Sequence, residues 1–250
     1  MVDHSALEIE ADRILAALNE AGLTVRLVGS MAILRRCPNY ASLASSGRVY
    51  RDIDLAGRKK EARSVHELLN RLGYVEDREV FVVSEGSRAI FASKENGVHV
   101  DVFYEKLDFC HPIPLDDRLH ADAPTLPLAE LLLGKTQIVK ITEKDIVDMI
   151  ALLLEHGLGD DDEAINAARI AKLCAEDWGL WRTTTMNLEK LERFAESHSG
   201  LDQDQKARLA ASVTALRRRL DAEPKPLAWR MRAKIGERVK WYNDVEEVRF

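Results

Sequence analysis

The sequence predicts an α+β chain: a mixed β-sheet with flanking helices, followed by an all-helical C-terminal region. Two observations carry this. Short β-rich runs alternate with helical periodicities in the first hundred or so residues, and a passage with Pro112, Pro114, Pro124 and Pro127 ends that alternation. Beyond it every periodic segment is helix-forming. The division predicted is a mixed domain over 1–115 and a helical domain over 116–250. With 250 residues, 46% hydrophobic and 31% charged, the chain has globular composition and length enough for a core without disulfides or a structural metal.

Each element has its own signal. Ser5 and Glu8 have capping-box spacing, Leu7, Ile14, Leu15 and Leu18 mark one helix face, and Gly22 can end that helix. Thr24–Val28 is a short strand run, followed by Gly29-Ser30 and an apolar-basic helix to Arg36. Residues 37–50, with Pro38, Asn39 and Gly47, read as loop. Ile53–Ala56 is a second strand, and Lys59–Leu72 a helix stopped by Gly73. Strands are expected at Glu79–Val83, Arg88–Ala92 and Val98–Phe103, with Asn96-Gly97 as a hairpin turn because both positions tolerate positive φ. Helices are expected at Leu128–Leu133, Glu143–Glu155, Asp161–Trp178, Leu188–Ser197, Asp202–Leu220 and Leu227–Trp241. Trp178, Trp181 and Met186 read as helical core, and Thr183-Thr184-Thr185 as a loop or helix start.

Composition bounds the setting. Cys37, Cys110 and Cys174 are an odd number without CxxC spacing, which points to a reducing cytoplasm. The N-terminus lacks a signal-peptide pattern, and the longest apolar run, Met149–Leu154, is far short of a membrane span. Cytoplasmic location with no membrane partner is the expectation. The net charge is −6, but Leu201–Lys240 holds eleven Lys/Arg against five Asp/Glu, leaving the rest at −12. Such a basic stretch suits a polyanionic partner, or else is a solvated helix face.

Three acids stand out. In Arg51-Asp52-Ile53-Asp54-Leu55, strand period two puts Asp52 and Asp54 on one face with Ile53 pointing inward. In Val98-His99-Val100-Asp101-Val102-Phe103, Asp101 shares a face with His99 and Phe103. Carboxylates in such apolar company need a counter-charge, and hard divalent cations prefer oxygen donors. Val28-Gly29-Ser30 before a helix offers close backbone approach and N–H groups to an anion. Lys140, Lys144 and Asp148, spaced by four, would share one face if their helix is continuous, with Lys135 at the preceding turn. Lys144 and Asp148 also fit a plain surface ion pair. His99 near Asp101, and Cys110-His111, match no structural zinc spacing; His99 reads as lining a cleft and Cys110-His111 as linker.

Taken together, Val28-Gly29-Ser30, Asp52-Ile53-Asp54 and Asp101 resemble the pattern of the nucleotidyltransferase superfamily related to DNA polymerase β. The Lys135…Lys140…Lys144-Asp145…Asp148 segment looks like a motif of its AbiEii/MenT-type toxin branch. The resemblance covers about residues 24–155. It implies a catalytic domain over 1–115 and a helical domain over 116–250 that completes the nucleotide cleft. It further implies Asp52, Asp54 and Asp101 as catalytic residues and ligands of Mg2+ or Mn2+, with Asp101 near the attacking hydroxyl. Gly29, Ser30, Lys135, Lys140 and Asp145 would serve nucleotide binding. The implied reaction moves an NMP from an NTP to an acceptor: RNA or tRNA first, then a protein or small molecule. A toxin role with a cognate antitoxin as partner also follows from the branch. Two departures are visible: 21 residues separate Ser30 from Asp52, and lysines 140 and 144 stand where arginines are expected, without the guanidinium's planar fork. Three other readings compete: a degenerate nucleotidyltransferase fold that binds or regulates, a metal-dependent glycosyltransferase using the Asp-x-Asp, and a haloacid-dehalogenase-like phosphatase.

Overall fold

The computed structural model describes residues 4–41, 43, 50 and 52–244. The protein is mixed α+β, 59% helix and 16% strand, with a mixed sheet and a helical C-terminal region. No helix among the described residues is long and apolar enough to cross a membrane. The chain forms two compact units.

The first unit comprises the described residues of Met1–Arg36, Ser45–Leu107 and Pro114–Pro127. Its elements are α1 (His4–Glu20), β1 (Val25–Leu27), α2 (Gly29–Arg36), β2 (Asp52–Gly57), α3 (Ala62–Arg71), β3 (Tyr74–Asp77), α4 (Arg78–Val83), β4 (Arg88–Ser93) and β5 (His99–Tyr104). The sheet runs β1-β2-β5-β4-β3. Only β2 and β5 pair in parallel; the other neighbours are antiparallel. One face is apolar throughout: Ile53, Leu55, Ala89, Phe91, Val100 and Val102 are each fully buried, as strand alternation requires of a face turned to a core. The other face carries the acids.

One expectation for this unit changes. Glu79–Val83 is not a strand: the strand is β3, and α4 follows it, with the Asp77 side chain accepting the Glu79 N–H at 3.1 Å. Three valines give β propensity, but a helix cap immediately upstream and a Phe81 ring packed edge-on to His66 decide for helix. Within the expected loop 37–50, Pro38–Tyr40, which belong to the second unit, form a 3-10 turn, while 42 and 44–49 lie outside the described residues. The Ser5 side chain, half of the predicted capping box, also lies outside what is described.

The second unit comprises the described residues of Cys37–Ala44, Asp108–Ile113 and Leu128–Phe250. Its helices are α5 (Leu128–Thr136), α6 (Glu143–Glu155), α7 (Ala167–Glu176), α8 (Trp178–Ser197), α9 (Gln203–Ala222) and α10 (Leu227–Ile235). Capping boxes start two of them, Thr142 with Asp145 and Asp202 with Gln205. The expected helix over Asp161–Trp178 gives way to a two-residue parallel pairing, Leu158–Gly159 with Ile165–Asn166. Asn166 then caps α7 by accepting the Arg169 N–H at 2.9 Å. Helix α8 starts ten residues earlier than expected because Asp177 caps it, so Thr183-Thr184-Thr185 is helix interior. Helix α10 stops at Ile235 because Gly236, at φ +61°, leaves the helical region.

Candidate functional site

The parallel register between β2 and β5 sets Asp54 opposite Asp101 and Asp52 opposite His99. Paired residues on adjacent strands point to the same face at about 4.8 Å strand spacing. The two carboxylates predicted on one strand and the third on another therefore meet on one face. Asp52 is the open member, its side chain 58% exposed, with His99 Nδ1 at 3.9 Å from its Oδ1. Asp101 is the enclosed one, at 14%.

Gly29 completes one wall. Its φ is +67°, and a Cβ there would stand 2.1 Å from Asp54 Oδ2. Only glycine lets α2 begin this close to the carboxylate. The Val28 N–H donates to the Asp54 carbonyl at 2.9 Å, so the backbone of the Gly-Ser step is fixed to β2. The N-terminal turn of α2, with Ser30, thus opens beside Asp54.

A further residue belongs here that was not anticipated. Arg88 opens β4 and donates from Nε to both oxygens of Asp101, at 3.1 and 3.0 Å, and from Nη2 to Oδ2 at 2.5 Å. Its guanidinium lies 5.3 Å from the centre of the Phe103 ring. Burial raises the Asp101 carboxyl above the ordinary range against the pull of Arg88, and the negative charge of Asp52 adds to the rise. Burial alone would lower Arg88, but its bonds to Asp101 and the charges of Asp101 and Asp54 more than offset that. The signal was present in the sequence: an Asn96-Gly97 hairpin pairs Ala92 with His99 and Ile90 with Asp101, which puts Arg88 one pair further on the same face.

The donor chemistry fits a hard divalent ion, since carboxylate oxygens from Asp52, Asp54 and Asp101 share one face. Among the described residues, however, no three His, Cys, Asp or Glu side chains are gathered tightly enough to hold a metal by themselves. At Asp101 a guanidinium already donates to both oxygens.

The second unit holds the other predicted residues. Lys135, at the end of α5, is buried, and its Nζ lies 2.8 Å from Asp145 Oδ1 and 2.8 Å from Asp148 Oδ2 on α6. Burial opposes the charge on Lys135, but Asp148 and Asp145 hold it above the ordinary lysine range. Burial likewise opposes ionisation of Asp145, yet Lys135 and the Thr142 cap keep its carboxyl below the usual range. The expected Lys140–Lys144–Asp148 face does not form, because α5 ends at Thr136 and α6 begins at Glu143, leaving exposed Lys140 in the connection. Nor are Lys144 and Asp148 a surface pair: Asp148 is fully buried against Lys135.

Cys110 and His111 are buried: the Cys110 Sγ accepts the Val139 N–H at 3.4 Å, and His111 Nε2 meets Thr183 Oγ1 at 2.8 Å. In the basic C-terminal stretch, Arg217 faces Glu192 at 3.1 Å, Arg219 faces Glu223 at 2.5 Å, and Arg232 donates to the Gly236 and Val239 carbonyls. Trp229 donates to the Cys174 carbonyl and packs edge-on to Trp181. No protein-family model matches this chain, and no curated protein matches it.

Proposed function

We propose that the chain is a metal-dependent nucleotidyltransferase that moves the NMP of an NTP to an acceptor hydroxyl. The observation that carries this is the β2–β5 register, which pairs Asp54 with Asp101 and keeps Asp52 on the same face. The close approach of Gly29 to Asp54 supports it, because it sets a helix N-terminus beside the acids. Asp52 and Asp54, joined by Asp101, would hold Mg2+ or Mn2+, which supplies positive charge against the negative charge of the phosphates. Backbone N–H groups at Gly29 and Ser30, with the Ser30 hydroxyl, bind the β- and γ-phosphates. Asp101 takes the proton of the acceptor hydroxyl as its oxygen bonds to the α-phosphorus. The α–β phosphoanhydride bond breaks and pyrophosphate leaves.

The acceptor proposed is RNA, which the basic stretch from Leu201 to Lys240 suits; tRNA in particular is what the resemblance to the AbiEii/MenT-type branch implies. Because Arg217, Arg219, Arg232 and Lys240 are engaged internally, that contact falls to Arg218, Arg230, Lys234 and Arg238. Membership of the AbiEii/MenT-type branch, and with it a toxin role and an antitoxin partner, belongs to the same proposal. One observation favours a second reading: the guanidinium on Asp101 suits a protein that binds nucleotide without turning it over.

The test is incubation with each of four α-labelled NTPs, Mg2+ and total RNA, followed by separation of RNA from protein. Label is expected in RNA from a preferred NTP, and Asp52→Asn or Asp101→Asn should lower it by about 10^3-fold with the fold intact by circular dichroism. Label in the protein fraction would move the acceptor to a protein hydroxyl. Near-normal turnover in both variants would overturn the assignment of the acids, and NTP binding with no label anywhere would leave the binding reading.

A further inference from the structure

Asp101 is not an open ligand. Its two oxygens accept three bonds from Arg88, and the guanidinium carbon lies over the Phe103 ring, 5.3 Å from its centre. Arg88 is placed there by register and not by chance of rotamer. Ile90 is the pairing partner of Asp101, and Arg88 precedes it by two on the same face of β4. Planar donor pairs facing a carboxylate make the strongest of the ordinary ion pairs. A divalent cation bound by the same carboxylate would stand within a few ångströms of that guanidinium, and in a half-buried site the repulsion is weakly screened. Ion and guanidinium therefore exclude each other at Asp101.

We propose that Arg88 is the resident counter-cation of Asp101, which a divalent ion must displace before Asp101 can ligate it. The proposal rests on the nucleotidyl-transfer reading of this site and adds to it a positioning residue that sets when the ion binds. Displaced, the guanidinium stays tethered to β4 and needs a new anion, and a triphosphate seated beside Asp54 supplies one. The consequence is linkage: a nucleoside triphosphate that draws Arg88 away raises the affinity for the ion, and the ion raises the affinity for the nucleotide by the same factor. Ion without nucleotide meets an occupied carboxylate and binds weakly.

The experiment is direct titration of the metal-free protein with Mn2+, read by loss of the free-ion electron paramagnetic resonance signal, without and with a non-hydrolysable NTP analogue. Wild type should bind Mn2+ weakly alone and at least about tenfold more tightly with the analogue. Arg88→Met should bind Mn2+ alone at least about tenfold more tightly than wild type, and lose most of the nucleotide effect. Arg88→Lys, which keeps the charge but not the fork, should fall between and carries the comparison should Arg88→Met not fold. Equal or weaker Mn2+ binding in the folded Arg88 variants would overturn the proposal. Wild type provides a check needing no variant: saturating Mg2+ with the analogue should shift the Arg88 Nε–H resonance, and an unmoved resonance would overturn it as well. The two levels fail separately. Mn2+ binding that depends on Asp52 but ignores Arg88 removes only the gate, whereas no Mn2+ binding under any condition removes the nucleotidyl-transfer reading with it.

Discussion

At the scale of the residue, Gly29 and Asp101 are constrained by opposite means. Gly29 combines a φ of +67° with a carboxylate in the space its Cβ would need, so both backbone and packing forbid a side chain. Gly29→Ala should destabilise the protein by about 1–3 kcal/mol, read by urea unfolding. It should also displace Asp54, so that Mn2+ binding falls further than the stability loss alone requires. Asp101, by contrast, is permitted by its partner: burial raises its carboxyl, and Arg88 keeps a counter-charge on both oxygens.

At the scale of the element, Lys135 joins two helices that the sequence left adjacent but unconnected. Its ammonium ties the last turn of α5 to the first two turns of α6 through Asp145 and Asp148. Lys135→Met would strand a fully buried Asp148 and should cost about 3–5 kcal/mol in the stability of the second unit. The pH dependence follows from Asp145. Its folded-state carboxyl lies below the unfolded value, so its contribution is complete above about pH 4 and is lost as pH falls through the folded value. Acid titration of helical circular dichroism should therefore show wild type losing stability below pH 4 more steeply than Asp145→Asn. A reversed order would contradict the ion-pair assignment. Secondary structure near these residues was legible where caps and periodicity agreed, as in Glu143–Glu155. The valines of Glu79–Val83 suggest a strand, but the Asp77 cap prevails and the segment is helix.

At the scale of the whole molecule, Cys37, Cys110 and Cys174 are all buried and outside any disulfide, and all belong to the second unit. Burial pushes the Cys174 thiol up to about 12, and burial also raises Cys110. Neither offers a thiolate at neutral pH. Thiol labelling of the native protein should accordingly be slow and should report opening of that unit alone. Rapid labelling of all three in native buffer would contradict their burial.

By itself the sequence determined the α+β class, the strands carrying the acids, and the face on which Asp52, Asp54 and Asp101 each lie. These depend on alternation and turn chemistry, which are local. Only the tertiary structure decided that β2 and β5 are parallel neighbours with Asp54 opposite Asp101, that Arg88 holds Asp101, and that Lys135 belongs to Asp145 and Asp148. Strand order and the choice of partner for a buried charge are settled by contacts distant along the chain, and no local pattern encodes which of several available carboxylates a given cation will reach.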